Sequence, residues 1–199
     1  MKLLTFSDLH RDVQAARAIA DASAEADIVI GAGDFATHGL GMTDTMDVLM
    51  QCQAPLILVH GNHDNPSELV QLCADRRDVH YLHGQTLDIA GVVFFGFGGE
   101  THANGTEGRL HSVSEADAAR FLAPCPDGVV LVTHAPPFGT ADLYKDGTHG
   151  GSTAIHDAIK LKQPRLALCG HIHNAWGTEG TIGATKIRNL GPAPVWFEI

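Results

Sequence analysis

The chain's 199 residues suit one domain, long enough to bury a hydrophobic core without disulfides or a structural metal. Thirteen Lys and Arg against 23 Asp and Glu leave a net charge of −10, and no run of five basic residues occurs, which argues against a protein that tracks a nucleic-acid polymer. No apolar run approaches the roughly 20 residues of a membrane span.

In chain order, strands and helices alternate. Residues 2–7 read as an apolar strand, without the longer apolar core or cleavage site of a signal peptide. An amphipathic, alanine-rich helix is expected over 13–25, a strand over 28–31, a helix over 43–52, a strand over 56–60 and a helix over 67–76. This βαβαβ rhythm implies a parallel sheet with right-handed crossovers. The second half differs: 87–89 and 92–97 form a hairpin around Ala90 and Gly91, and 114–122 a helix capped by Ser114. Residues 129–133 form a buried strand, 153–162 a helix and 165–169 a strand, and short strands near 175–181, 184–189 and 194–199 close the chain. No repeat or linker divides it. The expectation is one domain over 1–199, of class α/β: a four-layered sandwich of two mixed β-sheets flanked by helices. Cys52, Cys73, Cys125 and Cys169 lie far apart beside apolar stretches, with no Cys-x-x-Cys spacing, and read as small core residues in a reducing cytoplasm.

Five polar clusters follow apolar strands: Asp8 with His10, Asp34 after Gly33, Gly61-Asn62-His63-Asp64, His134 after Thr133, and Gly170-His171-Ile172-His173. The carboxyl ends of strands in α/β folds form the ligand crevice, so these loops can converge. Carboxylate, imidazole and amide oxygen suit Mn, Fe, Zn or similar divalent ions, and the absence of cysteine argues against a structural zinc knot. Asp8 and His10, two apart on an extended segment, are expected to point the same way, as are His171 and His173, so each pair could grip one ion. Singly, each cluster is a common loop feature; all five at strand ends are not.

With these runs the sequence resembles the calcineurin-like metallophosphoesterase superfamily, matching its five motifs along nearly the whole chain. The resemblance implies that Asp8, His10 and His173 hold one divalent ion, that Asn62, His134 and His171 hold a second, and that Asp34 bridges them. Manganese is the expected metal, with Fe, Zn or Ni also suited. It further implies a metal-bridging hydroxide as nucleophile and His63, which is no ligand, as the general acid for the leaving group. The runs Gly33-Asp34-Phe35, Thr133-His134-Ala135-Pro136-Pro137 and Gly170-His171-Ile172-His173-Asn174-Ala175-Trp176-Gly177 resemble a branch of small phosphodiesterases acting on cyclic nucleotides or model diesters.

The chain departs from the protein phosphatases of that superfamily, whose second motif continues to an Asp and an Arg; Thr37 and His38 stand at those positions. Asp64 is the remaining carboxylate candidate to orient His63, Arg11 a candidate phosphate contact and His38 a neighbour of the site. Gly96-Phe97-Gly98-Gly99 reads as a turn rather than a dinucleotide loop, because no acidic partner or fitting helix follows. Two polar loops, 100–112 with His102, Asn104, Arg109 and His111, and 138–151 with Tyr144, Lys145 and His149, are where substrate selection is expected. His80, His83 and His156 read as structural or exposed. The expectation is a cytoplasmic phosphodiesterase with a small phosphoester substrate; the alternatives are a monoesterase of the same mechanism and a non-catalytic metal-binding scaffold.

Overall fold

The computed structural model describes every residue except 75, 103–107 and 109, so Asn104, Arg109 and one position of the expected 67–76 helix lie outside the described residues. The elements are β1 (Lys2–Phe6), α1 (Val13–Ala22), β2 (Ile28–Gly31), α2 (Met42–Leu49), β3 (Leu56–Leu58), α3 (Pro66–Ala74), β4 (Val79–Tyr81), β5 (Gln85–Ile89), β6 (Val92–Phe97), β7 (Glu100–His102), β8 (Ser112–Ser114), α4 (Glu115–Leu122), β9 (Val130–Thr133), α5 (Thr153–Lys162), β10 (Leu166–Cys169), β11 (Glu179–Ile182), β12 (Thr185–Asn189) and β13 (Val195–Glu198).

One sheet has the order β13-β1-β2-β3-β4 and the other β11-β12-β10-β9-β6-β5. Both are parallel at the centre, with β13, β11 and β5 antiparallel at the edges. The period-two alternation of each strand sorts its side chains into layers. Leu4, Phe6, Val29 and Leu58 face Ile19, Met46, Leu49 and Leu69 of the first three helices. Leu3, Ile28, Ile30 and Ile57 instead meet Phe94, Val130, Val132 and Leu168 between the sheets. Phe95, Leu131 and Ala167 pack on Leu122, Ile155 and Ile159 of α4 and α5. The result is the expected four-layered sandwich. Strands covered on both faces have no polar side, hence their uninterrupted apolar runs.

Boundaries shift where local chemistry intervenes. Asp12 caps α1, accepting from the N–H groups of Gln14 and Ala15, and the helix gives way to a 3-10 turn at Ser23–Glu25. The expected strand near 175 starts only at Glu179, because His173–Ala175 is a 3-10 turn. The edge strand β4 and the small parallel pair β7-β8 were not expected; each has only three residues, too few to display a period. Among the described residues no helix is long and apolar enough to cross a membrane.

Candidate metal centre

β1, β2 and β3 of one sheet and β9 and β10 of the other end at the same edge of the sandwich, and the five polar clusters lie in the loops that follow. The segment from Asp8 to His10 is not extended as expected. Asp8, His10 and Arg11 have φ of 54, 45 and 69°, as the loop winds along the next one: Asp8 N–H donates to Gly33 O and His10 N–H to Asp34 O. The β2 and β3 loops touch backbone to backbone. A Cβ on Gly33 would come within 2.6 Å of Gly61 N, and one on Gly61 would overlap the Asp34 carboxylate, so both positions require glycine.

Predicted ligands converge in two groups of donors lying within 4.8 Å of one another, Asp8, His10 and His173, and Asp34, His134 and His171; a third group joins His10 and Asp34 to His63, which is not among the predicted ligands. His171 and His173 therefore do not grip together as the simple pairing suggested; the left-handed φ of 71° at His171 and the turn after it send the two rings apart. Asp34 stands between the first two groups, its Oδ2 3.5 Å from His10 Nε2 and 3.4 Å from His134 Nε2. Asn62 Oδ1 lies 3.1 Å from His134 Nε2 and 3.0 Å from His171 Nδ1. His10 Nε2 and His173 Nε2 face each other at 3.0 Å. So many nitrogen and oxygen lone pairs directed at common points repel unless a proton or cation lies among them, and the donor types are those that bind borderline divalent ions. The residues fit a pair of such ions.

Surrounding groups hold these donors in orientation. His134 Nδ1 lies 2.8 Å from Ala32 O, which fixes its proton there and turns Nε2 inward. Asp8 Oδ2 accepts from Ser7 Oγ at 2.5 Å and from Trp176 Nε1 at 3.0 Å, while Oδ1 accepts from His171 N–H at 3.0 Å. Burial alone would raise the Asp34 pKa and lower that of His134. Their mutual attraction overrides both, holding Asp34 well below the usual carboxylate range and His134 up at about 10.

Asp64 does not reach His63. It is fully buried and accepts from the N–H groups of Asp34, Gly61 and Ala36 at 2.8 Å each, so it pins the two loops. Burial and the Asp34 charge push its pKa up against those bonds. His63 Nδ1 instead accepts from His38 N–H at 2.8 Å, and burial lowers its pKa. The ring lies edge-on to His10, with centroids 5.0 Å apart. Arg11 is paired with Asp44 through Nε and Nη2 at 3.1 and 3.0 Å.

Asp34, Asn62, His63, Tyr144, His171, His173 and Asn174 line an open cleft of about 300 Å³. Tyr144 comes from the expected 138–151 loop, which is pinned by the buried Asp142: its carboxylate accepts from Gly139 N–H, Gly151 N–H and His149 Nδ1. Trp176, Ser7 and Glu100 belong to the site although none of them is among the predicted site residues. Trp176 stands inside one of the family-like runs, yet its hydrogen bond spans 168 positions and leaves no local pattern.

A cluster of this kind at the carboxyl ends of two facing sheets marks a metal-binding α/β protein. Comparison with protein families refines the class: residues 1–196 match the calcineurin-like phosphoesterase superfamily domain, and the chain belongs to that superfamily. Among curated proteins it is similar to two from Caenorhabditis elegans. With UPF0046 protein K07C11.7 it is 24% identical over 94% of this chain and 69% of that protein. With UPF0046 protein T07D4.2 it is 35% identical over 37% of this chain, a match spanning only 21% of that protein's length. TT1561 of Thermus thermophilus shares the fold with a TM-score of 0.76 at 20% identity, covering 96% of this chain and 88% of that one.

Proposed function

We propose that the protein hydrolyses small phosphodiesters with the help of two divalent cations, manganese being the expected metal. Asp8, His10 and His173 would hold one cation, Asn62, His134 and His171 the other, with Asp34 shared. The observation that carries this reading is the position of the Asp34 carboxylate, within 3.5 Å of imidazole nitrogens on both sides. Two cations bound there supply neutralisation of phosphoryl charge and activation of a water. In the net reaction the water oxygen forms a bond to phosphorus, the bond to one ester arm breaks, and the proton lost by water balances the one given to the departing oxygen.

His63 holds that proton. Because its Nδ1 accepts from His38 N–H, the neutral ring carries its proton on Nε2. Burial outweighs the pull of the Asp34 charge and lowers the His63 pKa, so the neutral ring offers Nε2–H as a hydrogen bond to the departing oxygen, and the imidazolium, a minority form but a stronger acid, is the form that transfers the proton. Esters with acidic leaving groups are consequently expected to react fastest. Among the described residues lining the cleft there is no Lys or Arg. A monoester dianion needs more cationic support than a diester monoanion, which favours the diester. Tyr144 and Asn174 form a wall for the second arm, and cyclic nucleotides are candidates of suitable size.

The test is a comparison of kcat/KM for bis(nitrophenyl) phosphate, nitrophenyl phosphate and a panel of cyclic nucleotides under one manganese loading. Diesters are expected to lead. A consistent monoester advantage rejects the substrate class, and no turnover of any ester by fully loaded protein favours the scaffold reading.

A further inference from the structure

The run Gly96-Phe97-Gly98-Gly99-Glu100 spans the end of strand β6 and the turn after it, and has no part in the donor groups. Its glycines are dictated by His60. A Cβ on Gly98 would overlap the His60 ring, and one on Gly99, at φ 84°, would lie 2.6 Å from His111 O and 3.2 Å from His60 Nε2. Gly99 N–H donates to His60 O at 2.7 Å, and Gly98 N–H to His83 Nδ1 at 3.2 Å. Only a chain without side chains at these two positions can turn this closely against His60. The turn delivers Glu100, 6% exposed, to the far side of the His171 ring, with Oε2 3.3 Å from Nε2. The other nitrogen of that ring, Nδ1, faces Asn62 Oδ1 at 3.0 Å.

A neutral imidazole has one proton for two nitrogens. A carboxylate at Nε2 draws the proton there and leaves the Nδ1 lone pair directed at Asn62, His134 and Asp34. His134 is wired in the same way with its nitrogens exchanged, its Nδ1 backed by Ala32 O. A buried carboxylate is costly without a polarised donor, and an imidazole that binds a cation through its other nitrogen is such a donor. We infer that Glu100 is a positioning residue that fixes the tautomer and orientation of His171 and thereby strengthens cation binding by the group Asp34, Asn62, His134 and His171. This rests on the two-cation reading for its effect on metal, but the tautomer stands apart from it.

Two readouts separate the claims. Long-range ¹H–¹⁵N NMR of the metal-free protein is expected to place the His171 proton on Nε2, and Glu100→Ala to move the ring toward the Nδ1–H form. Manganese titration is expected to give a loss of about 10- to 100-fold in affinity at one of two sites in Glu100→Ala. Glu100→Gln, whose amide oxygen can face Nε2–H from the same place, is expected to recover part of it, with melting of the metal-free variants close to wild type. Two manganese sites of unchanged affinity in Glu100→Ala, or a wild-type His171 proton on Nδ1, overturns the proposal. A wild type that binds one manganese with His171 as the Nε2–H form rejects the two-cation reading while upholding the assignment of Glu100.

Discussion

The side chains of His134 and His171 are 0% and 12% exposed, whereas those of His10 and His173 are 21% and 50% exposed. The first pair is backed by Ala32 O and Glu100 and crowded around Asn62; the second is the more exposed, and its His173 packs beside Trp176 with ring centroids 4.3 Å apart. The two halves of the cluster are thus built to different tolerances. Donors that are dry and fixed before a cation arrives give up little freedom on binding it, while exposed rings must be ordered first. The buried half should hold its cation tightly and the open half exchange it.

The strongest way to break this comparison is at the residue both halves share. Asp34→Asn is expected to lose cations from both and to abolish turnover, measured by metal content after dialysis; retention of two equivalents would show that Asp34 is not shared. Next in size, His63→Ala should keep both cations yet slow alkyl diesters by about 10²- to 10⁴-fold, with a smaller loss for nitrophenyl esters. An equal loss across leaving groups removes His63 from proton delivery. Trp176→Phe sharpens the comparison, since it deletes the indole N–H that Asp8 accepts and part of the ring beside His173, both in the open half. About a 10-fold weakening of the open half is expected, with the buried half unchanged, in a manganese titration.

The smallest effect concerns the support behind Glu100. His83 stacks on Phe97, and burial holds its pKa below the ordinary 6.5. Below that pH the unfolded chain takes up the proton before the folded one does, so the His83 contribution is whole above 6.5 and is lost as pH falls through the depressed folded value. Denaturant midpoints of wild type should therefore drop more steeply below about pH 6.5 than those of His83→Gln. Parallel curves would contradict this.

Much of this fold can be read from the chain because the parallel strands are covered on both faces and appear as unbroken apolar runs. Polar residues at their ends stand out for the same reason, which is how Asp8, Asp34, Asn62, His134 and His171 announce themselves. What supports them is less legible. Asp64 reads as a carboxylate to orient His63 but is buried by the backbone of two loops, an arrangement visible only once β2 and β3 lie side by side. Glu100 belongs to no periodic pattern; its one signal is a Gly-Gly pair leading from a buried strand straight into a carboxylate. The three residues of β4 carry too little sequence to separate them from loop.

The central claim is a pair of cations bridged by Asp34, and electron paramagnetic resonance of the manganese-loaded protein, read beside its metal content, tests it most directly. Two equivalents giving a spin-coupled spectrum, which collapses in Asp34→Asn, is the predicted result. A single equivalent, or two magnetically isolated ions, would contradict it.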